Sequence, residues 1–326
     1  MPDKFRGTRW KDLPTEAAHP GSSGLDRLGV ARTVARMQAE DRRVLAALRA
    51  ARPAIIRAAE AFREVFLSGK RCLLFGAGTS GRLAVLEAAE LPPTFGTSPR
   101  RVQAVIAGGR SAVFRAREGA EDRSEEGARA AEALVPGDLA IGVSASSVTP
   151  FVRGALERAT AQGARTVLVT ANPSPGLSKI ARIIVRLDVG AEVIAGSTRL
   201  KAGTATKLAL NQITTSALAS SGKVFGPWMV DLRAGSAKLK DRARRIVAAA
   251  AGVSTSQAAK LLKEAKGEVK TAILMGRTGA RFRQAQGALG RAGGDLRKAL
   301  EKINRTEGGA SRRARFAVGG RTRPTG

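Results

Sequence analysis

The sequence predicts an α/β protein: a doubly wound, mostly parallel sheet flanked by helices, with a small C-terminal all-helical domain. Three observations carry this reading. Short apolar runs alternate with helical stretches from about Arg71 to Ser220. Turns rich in Gly, Ser or Asn close the runs. Near the C-terminus a repeat with a 27-residue offset replaces the alternation. The length, 326 residues, suits about two domains.

Residues 1–24 are polar and rich in Pro, Gly and Ser, and read as an extended arm. From Leu25 to Leu67, Ala, Leu, Ile and Val recur at spacings of three and four, which is a helical period. The period then changes. Arg71–Phe75 is a short apolar run that enters Gly76-Ala-Gly-Thr-Ser-Gly81, a buried strand leading to a Gly-rich turn and a helix. Val102–Ile106, Leu139–Val143, Thr166–Thr170 and Ile183–Leu187 read as further strands. Helices are expected between them: Ser80 to Glu90, most of Arg115 to Leu134, Val152 to Gln162 and, last, Ala202 to Ser220. Strands alternating with helices make a parallel sheet, and ligands bind such sheets beyond the strands' carboxyl ends.

In the repeat, Gln257–Ile273 aligns with Gln284–Leu300. Leu262/Leu289, Ala265/Ala292, Gly267/Gly294, Val269/Leu296 and Ala272/Ala299 coincide. Each copy reads as helix, Gly turn, helix. The expected organisation is an arm at 1–24, the α/β domain at 25–239, the small helical domain at 240–305 and a basic, disordered tail at 306–326.

Composition excludes several classes. One Cys and one His rule out a disulfide framework and argue against a Cys/His zinc site or a His-based triad. Acid–base chemistry therefore falls to carboxylates, lysines or water. His19, beside Pro20, is expected to be exposed, and Cys72 to be core. The net charge is +29, and Lys223–Gly326 holds 24 Lys/Arg against 7 Asp/Glu. Such a surface attracts polyanions and phosphorylated metabolites. With two Trp, ten Phe and no Tyr, the basic–aromatic interleaving of single-strand nucleic-acid binders is missing. Nucleic acid is thus not the expected partner, beyond non-specific binding by the tail. No signal-peptide h-region and no 18-residue apolar stretch is present, so a cytoplasmic protein is expected, with no membrane partner.

Two turns carry the ligand argument. In the first, Gly78, Thr79 and Ser80 open a helix, where free N–H groups and the dipole suit an anion. The spacing is neither Walker A nor the dinucleotide fingerprint. Read alone, this turn fits a capped helix start equally well. The second, Ser144-Ala-Ser-Ser-Val-Thr149, places Ser144, Ser146, Ser147 and Thr149 between a strand and a helix. Four hydroxyls exceed what capping needs. Two such turns on one sheet point to a small phosphorylated ligand. A third segment, with Ser197, Arg199 and Lys201 before a helix, is rich in donors for anionic or sugar oxygens. It fits a capped loop with solvated charges equally well.

Among the carboxylates, Glu90 precedes Leu91-Pro92-Pro93 and is expected to end its helix. The dipole there would raise its pKa, as a general acid requires, although a solvated Glu is the commoner finding. Glu87, three residues earlier, is acid or neighbour. Glu121 and Asp122 are expected inside the next helix. Ten helical residues separate Ser80 from Glu90, roughly 15 Å, so Glu90 is expected to act on a ligand held by a dimer mate's phosphate turn.

These residues carry a family resemblance. Gly76–Leu83, Glu90–Gly96, Ile106–Gly109, Glu118–Asp122, Gly196–Ala205 and Gly222–Gly226 resemble N-acetylmuramic acid 6-phosphate etherases, which have the sugar-isomerase (SIS) fold. The likeness runs from about Leu13 to Leu300 and includes Thr15-Glu16 and Leu25-Asp26. It implies cleavage of the D-lactyl ether of N-acetylmuramate 6-phosphate, in peptidoglycan recycling, by a homodimer without metal or cofactor. It implies Glu90 as proton donor and Glu121 as general base. The chain departs from the family pattern at Val148, where an Arg is usual, at Glu87, usually Asp, at Leu91, usually Cys, and at Ala18-His19, usually Arg-Asn. The more distantly similar glucokinase regulatory protein implies an alternative, a phosphosugar-binding regulator without catalysis. Ser144 and Pro150-Phe151 lean toward it and Glu90 against it. Aldose–ketose isomerisation is a third reading.

Overall fold

The computed structural model describes residues 12–172, 179–232 and 235–303, so the tail at 306–326 and the first part of the arm lie outside the described residues. The chain divides into two compact units, one within 1–92 and 97–217, the other within 93–96 and from Leu218 onward.

The first unit holds five parallel strands: β1 (Cys72–Gly76), β2 (Val102–Ile106), β3 (Leu139–Val143), β4 (Arg165–Thr170) and β5 (Ile183–Arg186), in the order β2-β1-β3-β4-β5. β1 and β3 are buried along their whole length, as the unbroken apolar runs require. Side chains alternate between faces. Leu73 and Phe75 of β1, Ala140 of β3 and Leu168 of β4 join one core with Phe151, Leu156 and Ala159. These last three lie on α5 (Pro150–Ala161), which packs beside α4 (Ser124–Ala131). The 39-residue α1 (Gly29–Leu67) runs against β1, β3 and β5. The remaining helices are α2 (Gly78–Phe95), the single turn α3 (Ser111–Phe114) and α6 (Lys201–Leu218).

Three expectations change here. α2 does not end at Glu90 but continues through Pro92 and Pro93 to Phe95. Prolyl φ is helical, so the chain continues although the Ala88 and Ala89 carbonyls lose their i+4 donors, and Leu91 and Phe95 of that last turn are buried. Residues 115–123 form turns rather than helix, so Glu121 and Asp122 stand on a loop. Only Ala120 is buried in that stretch, too little apolar surface to anchor a helix. The described part of the arm, finally, is docked. It forms short 3-10 turns at Pro14–Glu16 and Pro20–Ser22, with Leu13 and Thr15 buried.

In the second unit a π-helical turn at Ala219–Lys223 leads into a two-stranded antiparallel ladder, β6 (Val224–Phe225) and β7 (Trp228–Met229), which had no signal in the apolar pattern. Four helices follow, α7 (Ala237–Ala251), α8 (Thr255–Glu264), α9 (Val269–Thr278) and α10 (Phe282–Arg291), and residues 296–303 are helical. The repeat is geometric as well as textual. Ala265 and Ala292 both end helices, Val269 and Leu296 are buried, and so are Ala272 and Ala299. Gly267 and Gly294 have φ of +83° and +77°. The residues before them, Lys266 and Gly293, also match, at +54° and +64°. That region favours glycine, so the first copy carries strain that the second avoids.

Among the described residues no helix is long and apolar enough to cross a membrane.

Candidate active site

The chain leaves β1 for β2 on one side and returns to β3 on the other. β1 and β3 are therefore hydrogen-bonded neighbours from Cys72↔Leu139 to Gly76↔Val143. This is the topological switch point, where an open α/β sheet leaves a crevice at its carboxyl edge. The two hydroxyl-rich turns follow these two strands at the sheet's carboxyl edge.

In the first turn the strand ends against the start of α2. A Cβ on Gly76 would lie 2.7 Å from Gly81 N, and one on Gly81 would lie 2.7 Å from Gly76 O and 2.5 Å from Ile106 Cγ1. Only glycine permits this approach. It brings the first turn of α2, with Gly78, Thr79 and Ser80, onto the sheet edge. The first N–H groups of a helix have no partner within it and are available to an anion.

The second turn is held by its own side chains. Ser144 and Thr149 hydroxyls share a hydrogen bond of 2.7 Å, and Ser146 lies 3.4 Å from both. Thr149 precedes α5 without its side chain capping it. The Ala145 carbonyl accepts from Asn172 Nδ2 at 2.7 Å and from Thr170 Oγ1 at 3.2 Å, which ties the turn to the end of β4. Ser147 has φ of +66°, and its buried hydroxyl has no partner among the described residues. Ser147 thus combines a backbone conformation that is costly for a non-glycine residue with a buried hydroxyl that is free to donate.

Glu121 is half-buried and lines a cavity of about 100 Å³ with Gly78, Arg82, Ala107 and Arg117. Its carbonyl accepts from Phe151 N–H, in the first turn of α5, at 2.9 Å. The loop thus brings this carboxylate to the Gly78 turn. Arg82 Nε donates to Val113 O at 2.9 Å. Glu90 is not brought there. It is exposed on α2, roughly 15 Å along the helix from Ser80. The buried carboxylate of α2 is Glu87, which accepts from Thr214 Oγ1 and, at 2.8 Å, from Asn211 Nδ2 of α6. Burial pushes its carboxyl up, against Thr214, Lys207 and Asn211, and the charge of Glu90 adds to the rise.

The third segment divides. Ser197, half-buried, and Arg199, exposed, lie in the loop before α6. Gly203 of α6 stands where a Cβ would touch the Thr79 methyl at 3.7 Å, so this segment adjoins the first turn. Lys201 faces the protein. It is 1% exposed, and its Nζ donates to Glu40 Oε2 and Ala191 O, each at 2.7 Å. The α6 N-terminus is also occupied, since Lys201 and Ala202 N–H groups donate to Glu192 at 3.1 and 2.9 Å. Burial pushes the Glu192 carboxyl up, against those two bonds. Burial also opposes the charge on Glu40, but Lys201, His19 and Arg43 together hold its carboxyl below the usual range.

His19 is not exposed: its side chain is 8% accessible. Nδ1 accepts from Gly21 N–H at 3.0 Å, so Nε2 carries the proton and faces Glu40 at 3.1 Å. Cys72 is core, and burial pushes its thiol up.

Sequence reasoning missed the residues that tie these segments together. Asn172 donates to Thr15 Oγ1 at 2.8 Å and to Ala145 O, while Thr15 N–H donates to Asn172 Oδ1 at 3.2 Å. Gly196 N–H donates to Thr15 O at 2.9 Å. One buried amide thus joins the arm, the second turn and β4, and the arm reaches the third segment. The dipeptide Asn172-Pro173 signalled a turn, but nothing local signalled its distant partners.

Sheet order, switch-point crevice and paired turns define an SIS-type α/β domain. The family description "Glucokinase regulatory protein N-terminal SIS domain" matches residues 54–160. The N-acetylmuramic acid 6-phosphate etherase of Rubrobacter xylanophilus is 46% identical over 297 residues, 89% of this chain and 99% of its own length. That of Geobacillus thermodenitrificans is 43% identical over 291 residues, with the same coverage. A phosphoheptose isomerase structure from Francisella tularensis aligns with a TM-score of 0.44 at 17% identity, over 57% of this chain and 97% of its own. The chain belongs to the N-acetylmuramic acid 6-phosphate etherase family.

Proposed function

We propose that this protein is a carbon–oxygen lyase that cleaves the D-lactyl ether of N-acetylmuramate 6-phosphate, giving N-acetylglucosamine 6-phosphate and D-lactate in the cytoplasm. The observation that carries the reading is the meeting of Glu121 with the Gly78 turn in one cavity, in a chain of this family. The turns at Gly78–Ser80 and Ser144–Thr149 hold the 6-phosphate, with Ser147 donating its unpaired hydroxyl. Ser197 and Arg199 approach from the third segment. Lys201 supports the site from behind, since its ammonium is bonded to Glu40 and Ala191.

The open-chain sugar has an aldehyde at C1, which makes the C2 proton acidic. Glu121 takes that proton. The C3–O bond breaks, and Glu90 protonates the departing lactate oxygen. Water then adds to C3 of the unsaturated aldehyde, and C2 regains a proton. Two carboxylates suffice for this chemistry.

A homodimer brings Glu90 to the site. The roughly 15 Å between Glu90 and its own Ser80 supports a donor from a second copy. So does the apolar surface nearby. Leu86 and Phe114 are 45% and 88% exposed, and Phe114 borders a groove of about 440 Å³ with Val85, Val105 and Val113.

The test is release of D-lactate from N-acetylmuramate 6-phosphate by the native protein and by Glu90→Gln. Lactate from the first and little from the second is the expected result. Phosphosugar binding without lactate from the native protein would establish instead the non-catalytic regulator, the reading that the matched family description at 54–160 favours.

A further inference from the structure

The substrate of the proposed reaction carries two anionic groups, the 6-phosphate and the carboxylate of the lactyl ether. The turns at Gly78–Ser80 and Ser144–Thr149 account for the first and leave the second unmatched. Two guanidinium groups stand beside Glu121 in the cavity of about 100 Å³, those of Arg82 and Arg117. Arg82, half-buried on α2, is held through Nε by Val113 O at 2.9 Å. Arg117, exposed on the Glu121 loop, is held through Nε by Ser111 Oγ at 3.1 Å. Its base packs on Gly108, where a Cβ would lie 3.1 Å from Arg117 Cβ. Among the described residues each guanidinium makes this one bond, and neither pairs with Glu118 or Glu121, the carboxylates that line the cavity. Both therefore keep Nη1 and Nη2, the end-on fork that takes the two oxygens of a carboxylate.

Sheet order sets this fork apart from the second phosphate turn. That turn follows β3, on one side of β1, whereas Val113, Arg117 and the Ala107 wall of the cavity follow β2, on the other. The connectivity of the substrate agrees. C2, whose proton Glu121 takes, is four bonds from the lactyl carboxyl carbon and six from phosphorus. Val113 also borders the apolar groove on the side from which a second copy would bring Glu90 to the lactyl oxygen. We propose that Arg82, assisted by Arg117, binds the lactyl carboxylate and so selects sugar phosphates that carry the lactyl acid over those that do not. This rests on the lyase reading of the site.

The test compares N-acetylmuramate 6-phosphate with N-acetylglucosamine 6-phosphate, which keeps the phosphate and lacks the carboxylate. In Arg82→Gln, KM for the first should rise about tenfold, the worth of one charge-assisted contact, while Ki for the second stays at its native value. Arg117→Gln should act in the same direction and less, because that side chain is exposed. Equal weakening of both sugars in Arg82→Gln would assign the cation to the phosphate. Weakening of neither would leave Arg82 as a support for Val113. Either result overturns the proposal. A second measurement needs no variant. The lactyl carboxamide of N-acetylmuramate 6-phosphate should bind the native protein about tenfold less tightly than the acid, and equal binding also overturns the proposal. Should the native protein bind N-acetylmuramate 6-phosphate without releasing lactate, the lyase reading fails, and the same comparisons made with dissociation constants still decide the role of Arg82.

Discussion

Between Gly76 and Gly81 the backbone turns with no side chain in its way, whereas between Ser144 and Thr149 side chains hold the turn together. The first site offers an anion the N–H groups of a helix start. The second offers hydroxyls, several of them already bonded to one another. The comparison teaches that hydroxyl-rich turns of similar appearance divide the labour: one depends on shape, the other on a hydrogen-bond network with a single donor left over, Ser147.

The comparison predicts its own tests. Gly81→Ala should have the largest effect, because the new Cβ meets the Gly76 carbonyl at 2.7 Å and backbone cannot step aside. A loss of about 3 kcal/mol is expected, read as a lower urea midpoint. A midpoint near the native one would mean that the first turn does not depend on shape. Val148→Arg adds to the second turn the charge that the family pattern leads one to expect. KM for the phosphosugar should drop about tenfold at constant kcat, the gain of one charge-assisted contact. An unchanged KM would show that another cation already serves the phosphate.

Smaller effects should separate network from ligand donor. Ser144→Ala removes the 2.7 Å bond to Thr149 and should reduce stability by about 1 kcal/mol, with a modest rise in KM. Ser147→Gly relieves the positive φ and should raise the melting temperature slightly, by the equivalent of up to about 1 kcal/mol. It should nonetheless weaken phosphosugar binding, because the orphaned hydroxyl is gone. A variant both more stable and equally tight would remove Ser147 from the site.

Much of this was legible along the chain. β3 falls on the run expected of it, because a strand buried on both faces must be apolar throughout, and the edge strand β2 falls on its run although Gln103 is exposed. The repeat was legible because each copy needs the same small residues at its turn. Burial of polar groups was not legible. Lys201 and Arg199 look alike in a donor-rich loop, yet one is sealed against Glu40 and the other is exposed. His19 looked solvated because its acceptor, Glu40, lies on α1 and carries no local mark. Glu87 and Glu90 share a helix, and only α6, packed on one of them, distinguishes a buried carboxyl from an exposed one.

By itself, the sequence determined the succession of strand, turn and helix, the two hydroxyl-rich turns, the helical repeat and the scarcity of Cys and His. Each depends on residue types and spacings within a few positions, where backbone φ, side-chain period and capping act. Only the tertiary structure decided that β1 and β3 are neighbours, that Glu121 meets Gly78 while Glu90 does not, and that Asn172 binds Thr15 across 157 positions. Such pairings are set by which buried groups find partners once distant segments pack, and a polar atom with no local partner carries no sign of the one it will meet.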